Sequence, residues 1–342
     1  MATSTAYRVA MVTEPPVYLD LQASVDKACA IIKEAAENGA KLVTFGESWL
    51  PGYPFWVWLR GVPESLPLTA RLFENSLEIK SKETAQICRA ARDNNVHVIM
   101  GINERQGGSL YNSLLFIDEK GNIPLVRRKI KPTGAERMVW GQGDGNCLTV
   151  VKTDSVGTLG GQICWEHTMP GLDAAFCAQG EQVHLAAWPS FCLDLDYSLG
   201  LEANSALARA YAIRTQSFVV NVATVIQQDV IDLICVNERD HQLLRTGGGY
   251  AQLFAPNGAS LNVSPGEHEA TITYAEINLN LITFAKMICD SAGHYSRPDL
   301  IQVSVNQAKQ EPVHFVDLEM GDKDELVDKS KDKDTKKEAI EQ

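Results

Sequence analysis

A thiol, a carboxylate and an ammonium (Cys164, Glu47 and Lys129) each stand at or near the end of an apolar, strand-like run. Cys164 lies in GTLGGQICWEHTMP, where Gly157 to Ile163 reads as a strand and a short helix is expected from Pro170 to Gln179. A nucleophile between a strand end and a following helix sits on a sharp turn, its side chain presented and nearby backbone N–H groups free for a developing anion. Gly160 and Gly161 would let neighbouring backbone approach closely. The alternative is a buried structural thiol, the usual state of a cysteine. His167, three residues on, is either a base for the thiol or part of the pocket wall, and base catalysis requires hydrogen-bond reach. Glu166 is expected to make a structural hydrogen bond.

Glu47 follows an apolar strand in LVTFGESWLPGYP. Desolvation there would raise its pKa and make it a usable base; the alternative is a helix-capping or salt-bridged glutamate. Lys129 lies in VRRKIKP, where strand alternation puts Arg127, Lys129 and Lys131 on one face and Arg128 and Ile130 on the other. Turned inward, such a cation would hold a thiolate and a growing negative charge; turned outward, it is a charged surface. Each signal alone is weak. Their order, carboxylate then ammonium then thiol at successive strand ends, is what carries information.

The elements that must position these groups alternate. Strands are expected at Tyr7 to Thr13, Lys41 to Phe45, Val96 to Ile102, Leu148 to Lys152, Gly157 to Ile163, Val183 to Trp188, Phe218 to Val222, Tyr250 to Phe254 and Ala270 to Ile277. A hairpin-like pair, Asn112 to Asp118 and Leu125 to Ile130, turns at Gly121-Asn122. Helical patterns cover Leu21 to Asn38, Lys82 to Asn94 and Leu201 to Gln216. The alternation predicts a layered α/β domain over residues 1–310, and the hairpins predict mixed sheets. From Asp317 to Gln342 the chain is dominated by Asp, Glu and Lys and has no aromatic residue, which predicts a disordered tail.

Composition narrows the partners. A net charge of -12 disfavours nucleic acid and anionic lipid, so a small, non-polyanionic substrate is expected. No apolar run reaches the roughly 18 residues of a membrane span, and Met1 to Val12 lacks the form of a signal peptide, so the cytosol is expected. The 8 cysteines are scattered without a C-x-x-C pair, which favours free thiols and argues against disulfides or zinc.

The ordered glutamate, lysine and cysteine resemble the nitrilase superfamily of carbon–nitrogen hydrolases. FGESWLPGYP is similar to the family's glutamate motif, RRKIKPT followed by ER to its lysine motif, and GGQICWEH to its cysteine motif. Cys164-Trp165-Glu166-His167 resembles the nitrilase branch more than amidases or carbamoylases. AAWPSF (Ala186 to Phe191), the glycines 247–249, FAPNG (Phe254 to Gly258) and GHYSRPD (Gly293 to Asp299) extend the likeness over about residues 6 to 300. The resemblance implies an α-β-β-α sandwich with two mixed sheets. It implies Cys164 as nucleophile, Glu47 as general base, Lys129 as electrostatic stabiliser and Glu136 as a second, positioning glutamate. Trp165 would supply a backbone N–H near the anion, with Tyr53, Thr133, His167 and Trp188 around the substrate.

The implied chemistry is hydrolysis of an organic nitrile to acid and ammonia through a thioimidate and a thioester on Cys164, without metal or organic cofactor. The resemblance also implies dimers that extend into spirals or filaments. The rivals are a cyanide- or amide-hydrolysing relative with the same residues, a scaffold that lost the chemistry, and a redox sensor on Cys164.

Overall fold

The computed structural model describes residues 6–193, 200–310 and 313. The chain divides into two units, Met1–Lys309 and Gln310–Gln342, and every strand and helix among the described residues lies in the first. The expected tail, 317–342, lies outside the described residues.

The strands are β1 (Ala6–Val12), β2 (Ala40–Phe45), β3 (His97–Gln106), β4 (Ser109–Ile117), β5 (Leu125–Arg128), β6 (Trp140–Gly141), β7 (Val151–Lys152), β8 (Thr158–Ile163), β9 (Val183–Trp188), β10 (Phe218–Ala223), β11 (Tyr250–Phe254) and β12 (Ile272–Asn278). The helices are α1 (Leu21–Glu37), α2 (Trp56–Leu59), α3 (Val62–Glu74), α4 (Lys82–Asp93), α5 (Leu172–Ala178), α6 (Leu201–Thr215), α7 (Gln228–Ile234), α8 (Glu238–Leu243) and α9 (Asn280–Ile288).

The strands form two mixed sheets. One runs β12-β1-β2-β3-β4-β5, with β6 paired to β4; the other runs β11-β10-β9-β8-β7. In the first, β1, β2 and β3 are parallel, β12 is antiparallel to β1, β4 is antiparallel to β3 and β5, and β6 runs parallel to β4. In the second, β8, β9 and β10 are parallel between antiparallel β7 and β11.

Period-two alternation sorts the strand side chains between two cores. Val9 and Met11 of β1 pack with Leu159 of β8, Leu185 of β9 and Val220 of β10, filling the space between the sheets. Ala10 and Val12 point the other way, onto Val25, Ala28 and Ile32 of α1 and Ile87 of α4. On the far side of the second sheet, α6 brings Ala208, Tyr211 and Ala212. The result is the expected α-β-β-α sandwich. Helix α1 is capped by Asp20, whose side chain accepts from the Ala23 N–H at 3.0 Å.

Three differences from the sequence expectations have local causes. The strand expected at Leu148 to Lys152 contracts to Val151–Lys152. Helix α3 is not expected because its VPESLP start looks like a loop; Pro63 suits the first turn, whereas Pro67 lies inside the helix. Helix α9 lies beyond the last expected strand, yet NLITFAKMI is apolar and leaves Phe284, Met287 and Ile288 exposed. Among the described residues no helix is long and apolar enough to cross a membrane.

Candidate active site

Glu47 sits two residues beyond β2, on a turn that Ser48 enters with a left-handed φ of 48°. Its backbone N–H donates to the Trp188 carbonyl at the end of β9, 3.2 Å away, tying the turn to the second sheet. Gly101 of β3 makes room: a Cβ there would strike the Gly46 carbonyl and the Ser48 nitrogen. The Glu47 side chain is fully buried. Its Oε1 accepts from Asn112 Nδ2 (2.6 Å) and Lys129 Nζ (2.8 Å). Its Oε2, also buried, has no partner among the described residues. Burial pushes the Glu47 pKa up, Lys129 pulls it down and Glu136 raises it, leaving it at about 7.

Lys129 lies one residue past β5 and is fully buried. Its Nζ bridges Glu47 Oε1 and Glu136 Oε2, at 2.8 and 2.7 Å. Burial disfavours the ammonium, but the two carboxylates outweigh it and hold the pKa well above the usual lysine value. Glu136, in the 3-10 turn Gly134–Met138, is saturated. Its Oε2 also accepts from the Thr133 N–H (2.7 Å), and its Oε1 accepts from Tyr53 Oη (2.7 Å), which in turn accepts from Trp58 Nε1 (2.9 Å). The two carboxylates therefore differ in kind: Glu136 has both oxygens engaged, whereas Glu47 keeps one free.

Cys164 follows directly on β8 and starts the 3-10 turn Cys164–Thr168 with a φ of 56°. That left-handed conformation costs a non-glycine residue about 1–3 kcal/mol, so the surroundings must impose it. Glu166 does much of this. It accepts from the Ile163 N–H (2.7 Å), from the Ile130 N–H and from Arg127 Nη1 (2.7 Å), stapling the turn to the end of β5. Cys164 as a residue is 5% exposed. Burial raises its pKa well above the usual value, as do Glu47 and Glu136, against the opposing pull of Lys129 and of the Trp165 N–H aimed at the sulfur. The resting sulfur is thus a thiol, and a base has to take its proton. Its sulfur and one oxygen each from Glu47 and Glu136 lie within 4.8 Å of one another. Such a trio could ligate a metal ion, but the Lys129 ammonium already bridges its carboxylates.

Residues 8–287 match the family model described as carbon-nitrogen hydrolase. The chain belongs to the carbon–nitrogen hydrolase family. A nitrilase of Pseudomonas syringae pv. syringae is 41% identical over 301 residues, covering 87% of this chain and 89% of its relative. An arylacetonitrilase of Aspergillus kawachii is 42% identical over 307 residues, covering 88% and 92%. Among solved structures, a carbon-nitrogen hydrolase from Helicobacter pylori G27 superposes with a TM-score of 0.66 at 17% identity, covering 83% of this chain and 93% of its own, a likeness of fold.

In this carbon–nitrogen hydrolase, Glu47, Lys129, Glu136 and Cys164 come together as the sequence order suggests. The other expected site residues divide. Tyr53 lines a cavity with Glu47, Trp49, Ser190, Thr224 and Val230. Thr133 acts through its backbone N–H, and Trp165 directs its own at the sulfur. Trp188 is fully buried, donating from Nε1 to Asn221 Oδ1 at 2.6 Å, and its contact with Glu47 is through its carbonyl. His167 has both ring nitrogens engaged, Nδ1 at the Cys164 carbonyl (2.7 Å) and Nε2 at His184 (3.1 Å), which leaves neither for the thiol. The basic run is not a solvated face at its start: Arg127 and Lys129 are fully buried, and only Lys131 is exposed. Sequence reasoning missed Asn112, a lone amide inside the apolar β4 run, and the Arg127–Glu166 pair, whose partners are distant in sequence.

Proposed function

We propose that this enzyme is a nitrilase, converting an organic nitrile and two waters to the carboxylic acid and ammonia on Cys164. The reading is carried by one observation: Glu47, beside the Cys164 thiol, keeps a buried, unpartnered oxygen while Lys129 and Asn112 hold its other oxygen. The names of the Pseudomonas and Aspergillus relatives support the substrate class.

Glu47 Oε2 accepts the thiol proton as sulfur attacks the nitrile carbon, and the nitrile nitrogen takes that proton to give a thioimidate. The Lys129 ammonium and the Trp165 N–H stabilise the negative charge that grows on nitrogen. Glu47 then takes a proton from water as its oxygen adds to the thioimidate carbon. That proton passes to the nitrogen, Glu47 moves the hydroxyl proton of the tetrahedral intermediate to the nitrogen as well, ammonia departs with the C–N electron pair and a thioester remains. A second water, deprotonated by the same carboxylate, releases the acid and restores the thiol. Expulsion of sulfur in place of ammonia from the tetrahedral intermediate would give an amide. Glu136 positions Lys129 and Tyr53, and Tyr53, Thr133, Trp165, His167 and Trp188 shape the substrate site.

The same reading takes residues 1–310 as the catalytic domain, 317–342 as a charged tail and the cytosol as its compartment. It also includes self-association into dimers and further into spirals or filaments, which the exposed apolar side chains of α9 support. Acid and ammonia release across aliphatic, aromatic and arylaliphatic nitriles, cyanide and simple amides tests the activity. Turnover of at least one organic nitrile is expected; release from amides or cyanide but from no organic nitrile overturns the reading. A clean monomer by light scattering overturns the assembly.

A further inference from the structure

Behind the Cys164 turn lies a second cluster of buried titratable groups that hydrolysis does not use. Tyr211 on α6 donates to Glu181 Oε2 at 2.6 Å, and Glu181 Oε1 lies 2.7 Å from His184 Nδ1. His184 Nε2 lies 3.1 Å from His167 Nε2, and His167 Nδ1 lies 2.7 Å from the Cys164 carbonyl oxygen. All four side chains are buried. Room for the carboxyl comes from Gly160, where a Cβ would land on Glu181 Oε1.

The carbonyl end fixes the direction of every hydrogen. A carbonyl oxygen only accepts, so His167 carries its hydrogen on Nδ1 and a neutral ring then offers a lone pair at Nε2. His184 must therefore donate from Nε2, which leaves its Nδ1 to face Glu181. That contact needs a proton, held on Glu181 or shared along the bond. Remove this one proton and somewhere two lone pairs must meet: at the Glu181–His184 contact if neither ring changes, at the His167–His184 contact if His184 changes tautomer, or at the Cys164 carbonyl if both rings do.

We infer that Tyr211, Glu181, His184 and His167 form a one-way hydrogen-bond relay that positions Cys164, and that loss of its single acidic proton disengages the relay and lowers turnover on the alkaline side. The inference rests on Cys164 as the nucleophile, and the four are positioning residues.

The charged and titratable groups facing the relay are Arg127 near the end of β5, Glu166 in the Cys164 turn, Asp173 and Cys177 on α5 and Tyr211 on α6. Burial raises the Glu181 pKa to about 8 against the opposing Tyr211 hydrogen bond and Arg127 charge. Burial and the neighbouring His184 lower His167 to about 3, and burial with Arg127 lowers His184 well below the usual value. At neutral pH the proton therefore rests on Glu181.

Glu181→Gln tests the relay. An amide donates to His184 Nδ1 and accepts from Tyr211 as the protonated acid does, but it does not titrate. Wild-type kcat on a good nitrile is expected to fall through an apparent pKa of about 8. Glu181→Gln should keep kcat at pH 7 within about threefold and lose that limb, while Glu181→Leu loses about tenfold or more in kcat with KM little changed. The same alkaline limb in folded Glu181→Gln, or a loss beyond about tenfold at pH 7, overturns the relay. If the variants do not fold, nitrogen NMR of the wild-type histidines decides: one histidine in the Nδ1–H form at pH 7 that changes above pH about 8 is expected, and its absence overturns the relay. An enzyme inactive on every nitrile defeats the catalytic reading instead, and the histidine spectra still decide the relay.

Discussion

Arg127 and Lys129, two residues apart at the end of β5, are both fully buried and neutralise different carboxylates. Arg127 pairs with Glu166, which anchors the Cys164 turn; Lys129 bridges Glu47 and Glu136. One strand end thus fixes both the backbone beneath the sulfur and the carboxylate beside it. Strand alternation puts the two cations on the same side, so a register slip of one residue would withdraw both. Removing either should therefore harm catalysis by a different route.

Cys164→Ala is expected to abolish turnover and leave the fold intact. Only a sulfur is lost from a nearly buried site, so the stability change should stay within about 1–2 kcal/mol. Thermal unfolding and ammonia release on a good nitrile check both halves. Substantial residual activity would remove Cys164 from the chemistry.

Lys129→Gln should reduce kcat by about 10²–10³, the scale of losing a donor to a developing anion. It also leaves Glu47 and Glu136 facing each other in a buried site, so one of them should take up a proton. Single-turnover rates and the proton uptake on folding are the readouts. A change of less than about tenfold would make the lysine a structural cation.

How far the sequence alone reaches depends on the kind of interaction each residue makes. Helix α1 and the buried strands are legible because their apolar spacing is local: Val25, Ala28 and Ile32 repeat at helical intervals, and β9 reads as one apolar run. Cys164, Glu47 and Lys129 are legible as strand-end residues, and resemblance supplies their convergence. The burial of Arg127 is not, since the Glu166 that neutralises it lies 39 positions away and periodicity carries no such information. Nearness in sequence suggests His167 as a partner for the Cys164 thiol; the left-handed turn directs it to the carbonyl instead. Helix α3 is hidden by its prolines, and Pro67 shows that tertiary packing overrides a local breaker.

The pH dependence should have an acidic limb set by Glu47. Only the ionised carboxylate accepts a proton, so kcat/KM should rise with pH and level off above about 7. Stability runs the opposite way. The folded Glu47 holds its proton up to about 7, the unfolded one only to the ordinary 4.5, so this group's contribution falls as pH rises between them. Glu181 acts in the same direction up to about 8, while His167, depressed from 6.5 to about 3, adds stability as pH rises through that range. Above pH 6.5 the histidine contribution is complete and the carboxyls alone remain. The unfolding midpoint should therefore decline between pH 6.5 and 8, and less so in Glu181→Gln. A midpoint that climbs over that interval would mean that neither carboxyl is protonated in the folded enzyme.

Arg127→Met is expected to destabilise the protein by about 3–5 kcal/mol, because it leaves the Glu166 carboxylate buried without its cation. The pair is 2.7 Å apart and neither side chain is exposed. Arg127→Met with Glu166→Gln should recover part of that loss, since the stranded charge goes and the amide can still bind backbone N–H groups through its oxygen. Activity should not recover in step, for Glu166 accepts from both Ile163 and Ile130 and holds the turn that carries Cys164. Urea unfolding of the single and double variants measures the coupling, and additive effects would show that the pair is not a unit.

Gly101→Ala isolates the placement of Glu47 from its chemistry. The added methyl meets the Gly46 carbonyl, the Ser48 nitrogen and the Glu47 carbonyl carbon, all backbone atoms that no side-chain rotation can clear. The turn must shift, and with it the hydrogen bonds that join Leu50 to Gly101 (3.0 Å) and Asn103 to Leu50 (2.8 Å). A displacement of about 1 Å in a catalytic base can cost about 10²-fold in rate. Gly101→Ala should therefore lose about that much in kcat while still folding, with thiol labelling of Cys164 little changed. Near-wild-type turnover would mean that β3 and the Glu47 turn can part without moving the carboxylate, and that the close packing between them does not set its position.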